Sequence, residues 1–216
     1  MRTIIFDIET TGLPEGELAA LLPAFDPAEV KTGNIKDPEK VAAKIAEAEA
    51  NHRRDFFERA ALDALTGRVL VIGLVEEGLI RVIEHQDEAA LLTAFWELCQ
   101  GEMGRINRMV GFNTHLFDLP FLIRRSWKLG IAVPMGIRRG RFWAEEMVDI
   151  RNEWQLGDRM ARGSLDTIAK HLGVGQKNGD GKEFGKLWAT DREAAIAYLN
   201  NDLTLTALIA GRLGAL

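Results

Sequence analysis

The 216-residue sequence contains one cysteine, Cys99, so it cannot form an intramolecular disulfide, and this suits a reducing compartment. It has no run of about 18 uncharged apolar residues, which argues against a membrane span. An acid stands at Asp7, which argues against an N-terminal signal peptide. The net charge of -5 argues against a protein that coats nucleic acid through bulk positive charge. We therefore expect a cytoplasmic protein that does not enter membranes.

The composition that is present is typical of a folded domain. Hydrophobic residues make up 47% of the chain and charged residues 27%, which excludes an intrinsically disordered protein. A chain of this length can bury a sizeable core without disulfides or structural metals. Since we find no internal repeat and no convincing linker, we predict a single domain over residues 1–216.

The order of predicted elements indicates the fold. β-branched and apolar runs predict strands at 2–7, 68–76, 79–85, 108–112 and 147–150, and Glu77-Gly78 predicts a hairpin between the second and third. Helical spacing and capping residues predict helices after Asp87, over 117–129, from Ser164 to Leu172 and over about 190–213. This α/β order predicts a mixed five-stranded sheet flanked by helices. A three-strand meander followed by alternating helix and strand is the order of the ribonuclease-H-like fold.

Two segments fall outside that alternation. Residues 14–66 form an insertion after the first strand, and Asp37 followed by Pro38 predicts the start of a long helix within it that runs to about Leu65. Residues 173–186 contain five glycines and predict a mobile loop.

Two carboxylates stand two residues apart near the end of the first strand. Asp7 and Glu9 project from one face because side chains at i and i+2 share a face of a strand. Two carboxylates at so short a distance raise each other's pKa unless a cation offsets their charge. Carboxylate oxygens are suitable ligands for Mg²⁺ or Mn²⁺. A turn-capping Asp7 with a solvated Glu9 is the simpler interpretation of Asp-x-Glu alone. The following Thr-Thr-Gly predicts a tight exposed turn whose backbone N–H groups could bind a substrate.

Two further groups of residues could carry chemistry. Asp118 precedes Pro120 at a predicted helix start and could simply cap it, and Asn113 at a strand end has the same ambiguity. Tyr198 and Asp202 are four residues apart and share one helix face, although a buried tyrosine among apolar neighbours needs no function.

Taken together, the three groups resemble the DEDD (DnaQ-like) 3′–5′ exonucleases. That family has Asp-x-Glu on the first strand, an Asp after the fourth strand and a final helix carrying Asp. One branch of the family has a tyrosine four residues before the final Asp, and Tyr198 before Asp202 resembles that branch. The segment with Asn113 and Phe117-Asp118-Leu-Pro is most similar to the proofreading domains of family B DNA polymerases. The resemblance covers residues 2–13 and about 68–210, and the 14–66 insertion departs from it.

The resemblance implies an enzyme that removes nucleoside monophosphates from the 3′ end of single-stranded DNA or frayed DNA ends. It implies that two Mg²⁺ or Mn²⁺ ions are held by four acids, namely Asp7, Glu9, Asp118 and Asp202. Tyr198 would orient the attacking water. The residues implied in substrate binding are Thr10, Leu13, Asn113 and Phe117. The sequence shows no polymerase domain, so a polymerase or repair partner would have to be supplied in trans.

A stretch without acids supports a nucleic-acid partner. Residues 119–144 combine aromatic residues with the basic residues Arg124, Arg125, Lys128, Arg138, Arg139 and Arg141. Phosphate contacts and base stacking need that mixture. A solvated helix face with tryptophans in the core is the alternative.

Three alternatives to a DNA exonuclease remain open. The same site could act on RNA, because the residues that read a 2′-hydroxyl cannot be located in the sequence. A nucleic-acid-binding module without activity would retain the fold, although the presence of all four acids and Tyr198 argues against it. An integrase-like nuclease would need a different third acid and no tyrosine.

Overall fold

The computed structural model describes residues 1–102, 105–139, 142–158 and 160–216. The chain divides into two compact units, one formed by Met1–Thr10 with Val69–Leu216 and the other by Thr11–Arg68. The single domain expected from the sequence stays a prediction.

Five strands form one mixed sheet, as predicted. In chain order the strands are β1 (Thr3–Gly12), β2 (Gly67–Glu76), β3 (Leu79–Ile83), β4 (Arg108–Gly111), β5 (Arg138–Arg139), β6 (Phe142–Trp143) and β7 (Met147–Asp149). The main sheet has the order β3-β2-β1-β4-β7, and β5 and β6 form a separate antiparallel pair. The strand predicted at 147–150 is β7, at one edge of this sheet.

Parallel pairing within this sheet decides where polar side chains gather. β1 pairs with β4 in parallel, with Ile5 opposite Val110, and β4 pairs with β7 in parallel, with Gly111 opposite Asp149. The carboxyl ends of parallel strands meet at one edge of a sheet, which is where open α/β sheets bind ligands. The segments that follow β4 and β7 therefore begin at the same edge of the sheet.

The structure confirms the predicted hairpin between the second and third strands but not the predicted turn after the first strand. β2 and β3 pair antiparallel, and Glu77 and Gly78 both have positive φ, 51° and 78°, as a two-residue hairpin turn requires. The predicted tight turn at residues 10–12 is wrong, because β1 continues to Gly12. β-branched residues at 8, 10 and 11 favour this extended backbone.

The helices differ in how they begin and end. They are α1 (Glu15–Leu21), α2 (Pro38–Arg59), α3 (Glu88–Cys99), α4 (Asp118–Leu129), α5 (Ile150–Gln155), α6 (Leu165–Leu172), α7 (Phe184–Thr190) and α8 (Arg192–Leu213). Ser164 forms a capping box with Thr167 at the start of α6, and Gly130 and Gly173 end α4 and α6 in the left-handed conformation. No helix in the described ranges is long and apolar enough to cross a membrane.

Helix α8 packs closely on the sheet. Leu199 and Leu203 are fully buried, and a Cβ added to Gly73 of β2 would lie 2.6 Å from Leu203 Cδ1. A glycine at this position therefore lets the helix approach the strand. Burying each leucine contributes about 1.5–3 kcal/mol to stability, so α8 has a fixed position along the sheet.

A buried ion pair anchors α4. The Arg125 guanidinium donates to Glu88 of α3 from Nη2 to Oε2 at 2.6 Å and from Nε to Oε1 at 3.0 Å, and Val69 N donates to Glu88 Oε1 at 2.8 Å. The Arg125 and Glu88 side chains are 6% and 8% exposed. Arg125 therefore does not belong to a basic surface as its sequence neighbours suggested. Arg141 of that stretch lies outside the described residues.

The second unit contains the helical part of the insertion. Asp37 caps α2 by accepting a hydrogen bond from Glu39 N at 3.0 Å, as predicted. The predicted helix to Leu65 is too long, because α2 ends at Arg59 and a 3-10 turn, Ala60–Leu62, follows it.

The buried pair yields a stability prediction. Arg125→Met leaves Glu88 as a buried charge without its cation, so we expect a loss of about 3–5 kcal/mol in the free energy of unfolding. Arg54→Met, which breaks an exposed pair with Glu58, should cost no more than about 1 kcal/mol. Urea denaturation of both variants measures the difference, and equal losses would contradict a structural role for Arg125.

Candidate active site

Three acids from distant parts of the sequence converge on one point. Asp7 and Glu9 of β1 and Asp202 of α8 each offer one carboxylate oxygen, and these oxygens lie within 4.8 Å of one another. The i, i+2 spacing places the first two on one face of β1, as predicted. The packing of α8 on the sheet brings Asp202 to that face. We call Asp7, Glu9 and Asp202 the acidic cluster.

Asp118 lies next to the cluster without joining the group of three oxygens. It begins α4, is 3% exposed, and its Oδ1 accepts a hydrogen bond from Ile8 N at 3.2 Å. This bond attaches the start of α4 to the residue between Asp7 and Glu9. All four predicted acids are therefore in one region.

The four carboxyl groups are unusually hard to ionise in the absence of a cation. Burial raises the pKa of Asp7 to about 7, and the charge of Asp202 adds to this effect. Burial also raises the pKa values of Glu9, Asp118 and Asp202, and the charge of Asp7 raises those of Glu9 and Asp118 further. The cluster consequently favours a bound cation or protons.

The cluster has the chemistry of a divalent-metal site. Asp202 Oδ1 is buried and accepts no hydrogen bond from any described residue. A buried acceptor without a partner is rare in native proteins and needs an explanation. Carboxylate oxygens are the ligands that Mg²⁺ and Mn²⁺ prefer, so the residues present fit such an ion.

Lys177 also reaches the cluster, although no sequence motif points to it. Its Nζ donates to Asp202 Oδ2 at 2.5 Å and to the Tyr198 hydroxyl at 2.7 Å. Its charge lowers the pKa values of Asp7, Glu9 and Asp202. Asp166 of α6 holds the backbone of Lys177, since its Oδ1 accepts from Lys177 N at 2.9 Å. A lone lysine in a glycine-rich segment carries no pattern that separates it from a solvated residue.

Tyr198 is both a packing residue and part of the site. Its side chain is 5% exposed, its ring packs against Phe184, and its pKa is raised by burial and by the charge of Asp202. The segment predicted as a loop at 173–186 lies against it, but the loop is shorter than predicted, because a 3-10 turn, Gly181–Glu183, and the start of α7 occupy its end. A Cβ at Gly179 would stand 2.9 Å from Tyr198 Cδ2, and one at Gly181 would stand 3.1 Å from its hydroxyl. The glycines therefore allow the segment carrying Lys177 to cover the ring.

The predicted substrate-binding residues are distributed as follows. Asn113 follows β4, and half-buried Phe117 precedes α4 with its ring 5.6 Å from that of Phe121. Thr10 is half-buried in β1 at the end of the first unit. Leu13 belongs to the second unit, where its N donates to Thr66 O at 2.8 Å.

Comparison with known families identifies the class of this chain. Residues 62–213 match the family described as "Predicted 3'-5' exonuclease related to the exonuclease domain of PolB". The chain therefore belongs to this family. The matched range contains Asp118, Tyr198 and Asp202, and begins after Asp7 and Glu9.

A solved structure gives the same fold. The family B DNA polymerase from the hyperthermophilic archaeon Pyrobaculum calidifontis aligns with a TM-score of 0.61 and 19% identity, over 99% of this chain and 24% of the polymerase chain. The five-stranded mixed sheet and its helices thus have the ribonuclease-H-like fold of a polymerase exonuclease domain. No curated protein matches this sequence.

The raised carboxyl pKa values predict how stability depends on pH and metal. A carboxyl whose pKa is higher in the folded than in the unfolded state stabilises the fold below about pH 4, and this contribution is lost as the pH rises through about 7. Mn²⁺ should therefore raise the melting temperature more at about pH 8 than at about pH 5.5. Thermal melts with Mn²⁺ or EDTA measure this, and an equal shift at both pH values would contradict it.

Removal of Lys177 should have the opposite effect to addition of metal. Lys177→Met takes a cation from the buried acids, so we expect a loss of about 1–3 kcal/mol at about pH 8 in EDTA. Mn²⁺ should recover most of that loss. Lys182→Met changes an exposed lysine of the same segment and serves as the control. A melting temperature equal to that of the control in EDTA would refute the electrostatic role of Lys177.

Proposed function

We propose that this protein is a 3′–5′ exonuclease that removes nucleoside monophosphates from single-stranded DNA 3′ ends or frayed DNA ends. The observation that carries the proposal is the meeting of Asp7, Glu9 and Asp202 with the Tyr198–Lys177 pair on a fold shared with a polymerase exonuclease domain. Membership of the exonuclease family supports the reaction class, and the choice of DNA rests on the resemblance to polymerase proofreading domains.

The acids would hold two Mg²⁺ or Mn²⁺ ions, with Asp7, Glu9 and Asp202 as the central ligands and Asp118 beside them. When bound, such ions supply the positive charge that acidifies a water and offsets the charge of the phosphodiester in the transition state. Without that charge, four buried carboxylates would repel a polyanion. Divalent ions bound by these acids would therefore allow a chain of net charge -5 to act on a negatively charged nucleic acid.

Tyr198 is suited to position water and unsuited to act as a base. Its raised pKa keeps the hydroxyl protonated. Since its oxygen accepts a hydrogen bond from Lys177, its own proton remains to be donated to Asp202 or to an attacking water. Lys177 and the packing against Phe184 fix the direction of the hydroxyl.

The protein surface offers groups for the strand. Trp127 and Phe142 are 67% and 63% exposed, and Arg124, Lys128 and Arg138 are exposed nearby in the sequence. Stacking and phosphate contacts by such side chains bind single strands without reading their sequence. We assign Thr10, Asn113 and Phe117 of the first unit to the terminal nucleotides, and a role for Leu13 stays a prediction from the resemblance.

The proposed reaction is tested with matched DNA and RNA oligonucleotides labelled at either end. We expect Mn²⁺- or Mg²⁺-dependent release of mononucleotides from a 3′ label and a ladder of shortening products from a 5′ label. Faster loss of RNA than of DNA would favour an exoribonuclease instead. Cleavage in excess EDTA, or binding without any cleavage, would reject the proposal.

Substitutions of Asp202 and Tyr198, both on α8, should reduce activity in different ways. Asp202→Ala removes a metal ligand and should abolish nearly all turnover and weaken Mn²⁺ binding. Tyr198→Phe keeps the packed ring, so turnover should fall about 10²- to 10⁴-fold while Mn²⁺ affinity and melting temperature stay close to those of the wild type. Single-turnover kinetics and metal titration measure both. Full activity with a lowered melting temperature would reduce Tyr198 to a packing residue.

A further inference from the structure

The segment that joins β4 to α4, residues 112–117, is held by a buried carboxylate from the neighbouring strand. Asp149 ends β7 and is 2% exposed. Its Oδ1 accepts from Asn113 N at 2.8 Å and from Arg151 N at 2.9 Å, and its Oδ2 accepts from His115 N at 2.9 Å. Asp149 therefore caps α5 and fixes the backbone of residues 113–115 with one side chain.

Asn113 needs this support because of its backbone conformation. Its φ is 62°, in the left-handed region that asparagine adopts more readily than most residues but still at a cost. The hydrogen bond to Asp149 stabilises that conformation. As a result the Asn113 side chain leaves the backbone in a defined direction at the carboxyl end of β4.

Arg151 fixes the other end of the same residue. Its Nη1 donates to Asn113 Oδ1 at 2.7 Å. A guanidinium has only donors, so it selects the amide oxygen and turns the Asn113 Nδ2 group away from itself. No described residue accepts a hydrogen bond from Nδ2, which leaves this donor available.

Asn113 is the one hydrogen-bond partner of the Arg151 side chain among the described residues. The Arg151 Nε is buried and has no hydrogen-bond partner in the part of the chain that the structure describes. Among the described residues, the guanidinium is therefore directed at Asn113 alone.

We propose that Arg151 is a positioning residue for the exonuclease site: it orients the Asn113 amide so that Nδ2 donates to an acceptor oxygen of the substrate strand. Asp149 supports it by holding the Asn113 backbone. This inference rests on the proposed function, which assigns Asn113 to substrate binding. Arg151, which lies on α5, would then act on the nucleic-acid substrate only through Asn113.

A double-mutant cycle tests this dependence. We measure kcat and KM for a single-stranded oligonucleotide with the wild type, Arg151→Met, Asn113→Ala and the double variant. Each single variant should raise KM about tenfold, the cost of one lost hydrogen bond, with kcat little changed. Because both act through one amide, the double variant should be no worse than Asn113→Ala.

Two controls separate positioning from general damage. Arg151→Lys retains a donor and should recover most of the wild-type KM, whereas Arg212→Met, at an exposed position on α8, should change nothing. A purely structural Arg151 predicts a lowered melting temperature with unchanged KM. That result, or additive effects in the double variant, would overturn the inference while leaving the exonuclease proposal intact.

A direct measurement covers the case in which the wild type shortens no oligonucleotide. That outcome rejects the proposed function by itself. The side-chain amide NMR resonances of Asn113 then report on Arg151: they should shift in Arg151→Met and return towards the wild-type positions in Arg151→Lys. Resonances that do not move in Arg151→Met would overturn the positioning role as well.

Discussion

Repulsion between buried carboxylates is the constraint on which the rest of the structure depends. Asp7, Glu9 and Asp202 would separate if the chain allowed it, because burial and mutual charge make their ionisation costly. The packing of Leu199 and Leu203 on the sheet prevents this separation. The apolar core thus holds the carboxylates close together despite their repulsion, which a bound cation would relieve. Cation binding and the stability of the fold are therefore linked through the same residues.

Two groups of polar residues hold the motif side chains in position. Asp166 holds Lys177, which contacts Asp202 and Tyr198, while Asp149 and Arg151 hold Asn113. In both cases a carboxylate accepts a hydrogen bond from a backbone N–H group and a cation binds a motif side chain, which is Asp202 in the first case and Asn113 in the second. Residues outside the motifs therefore determine how accurately the motif residues are placed, which is where much of the catalytic precision of an enzyme resides.

The sequence predicted those features that depend on local spacing. The i, i+2 pair on β1, the hairpin turn at Glu77-Gly78 and the caps at Asp37 and Ser164 are local, and the structure has them. Contacts between residues far apart in the chain were not predictable. Arg125 looked like a surface cation because its partner Glu88 is 37 residues away, and Lys177 looked like part of a mobile loop because Asp202 is 25 residues away. The predicted turn after Glu9 was wrong because β1 continues as an extended strand to Gly12.

The position of the insertion explains why the site tolerates it. Residues 14–66 connect β1 to β2, which are neighbours in the sheet order, so the chain returns to the strand beside the one it left. The hydrogen bond from Leu13 N to Thr66 O, at 2.8 Å, closes the two ends of the insertion. Once the ends are joined, added residues cost little, since loop-closure entropy grows only with the logarithm of length. The strand that carries Asp7 and Glu9 therefore accommodates a long insertion at little entropic cost.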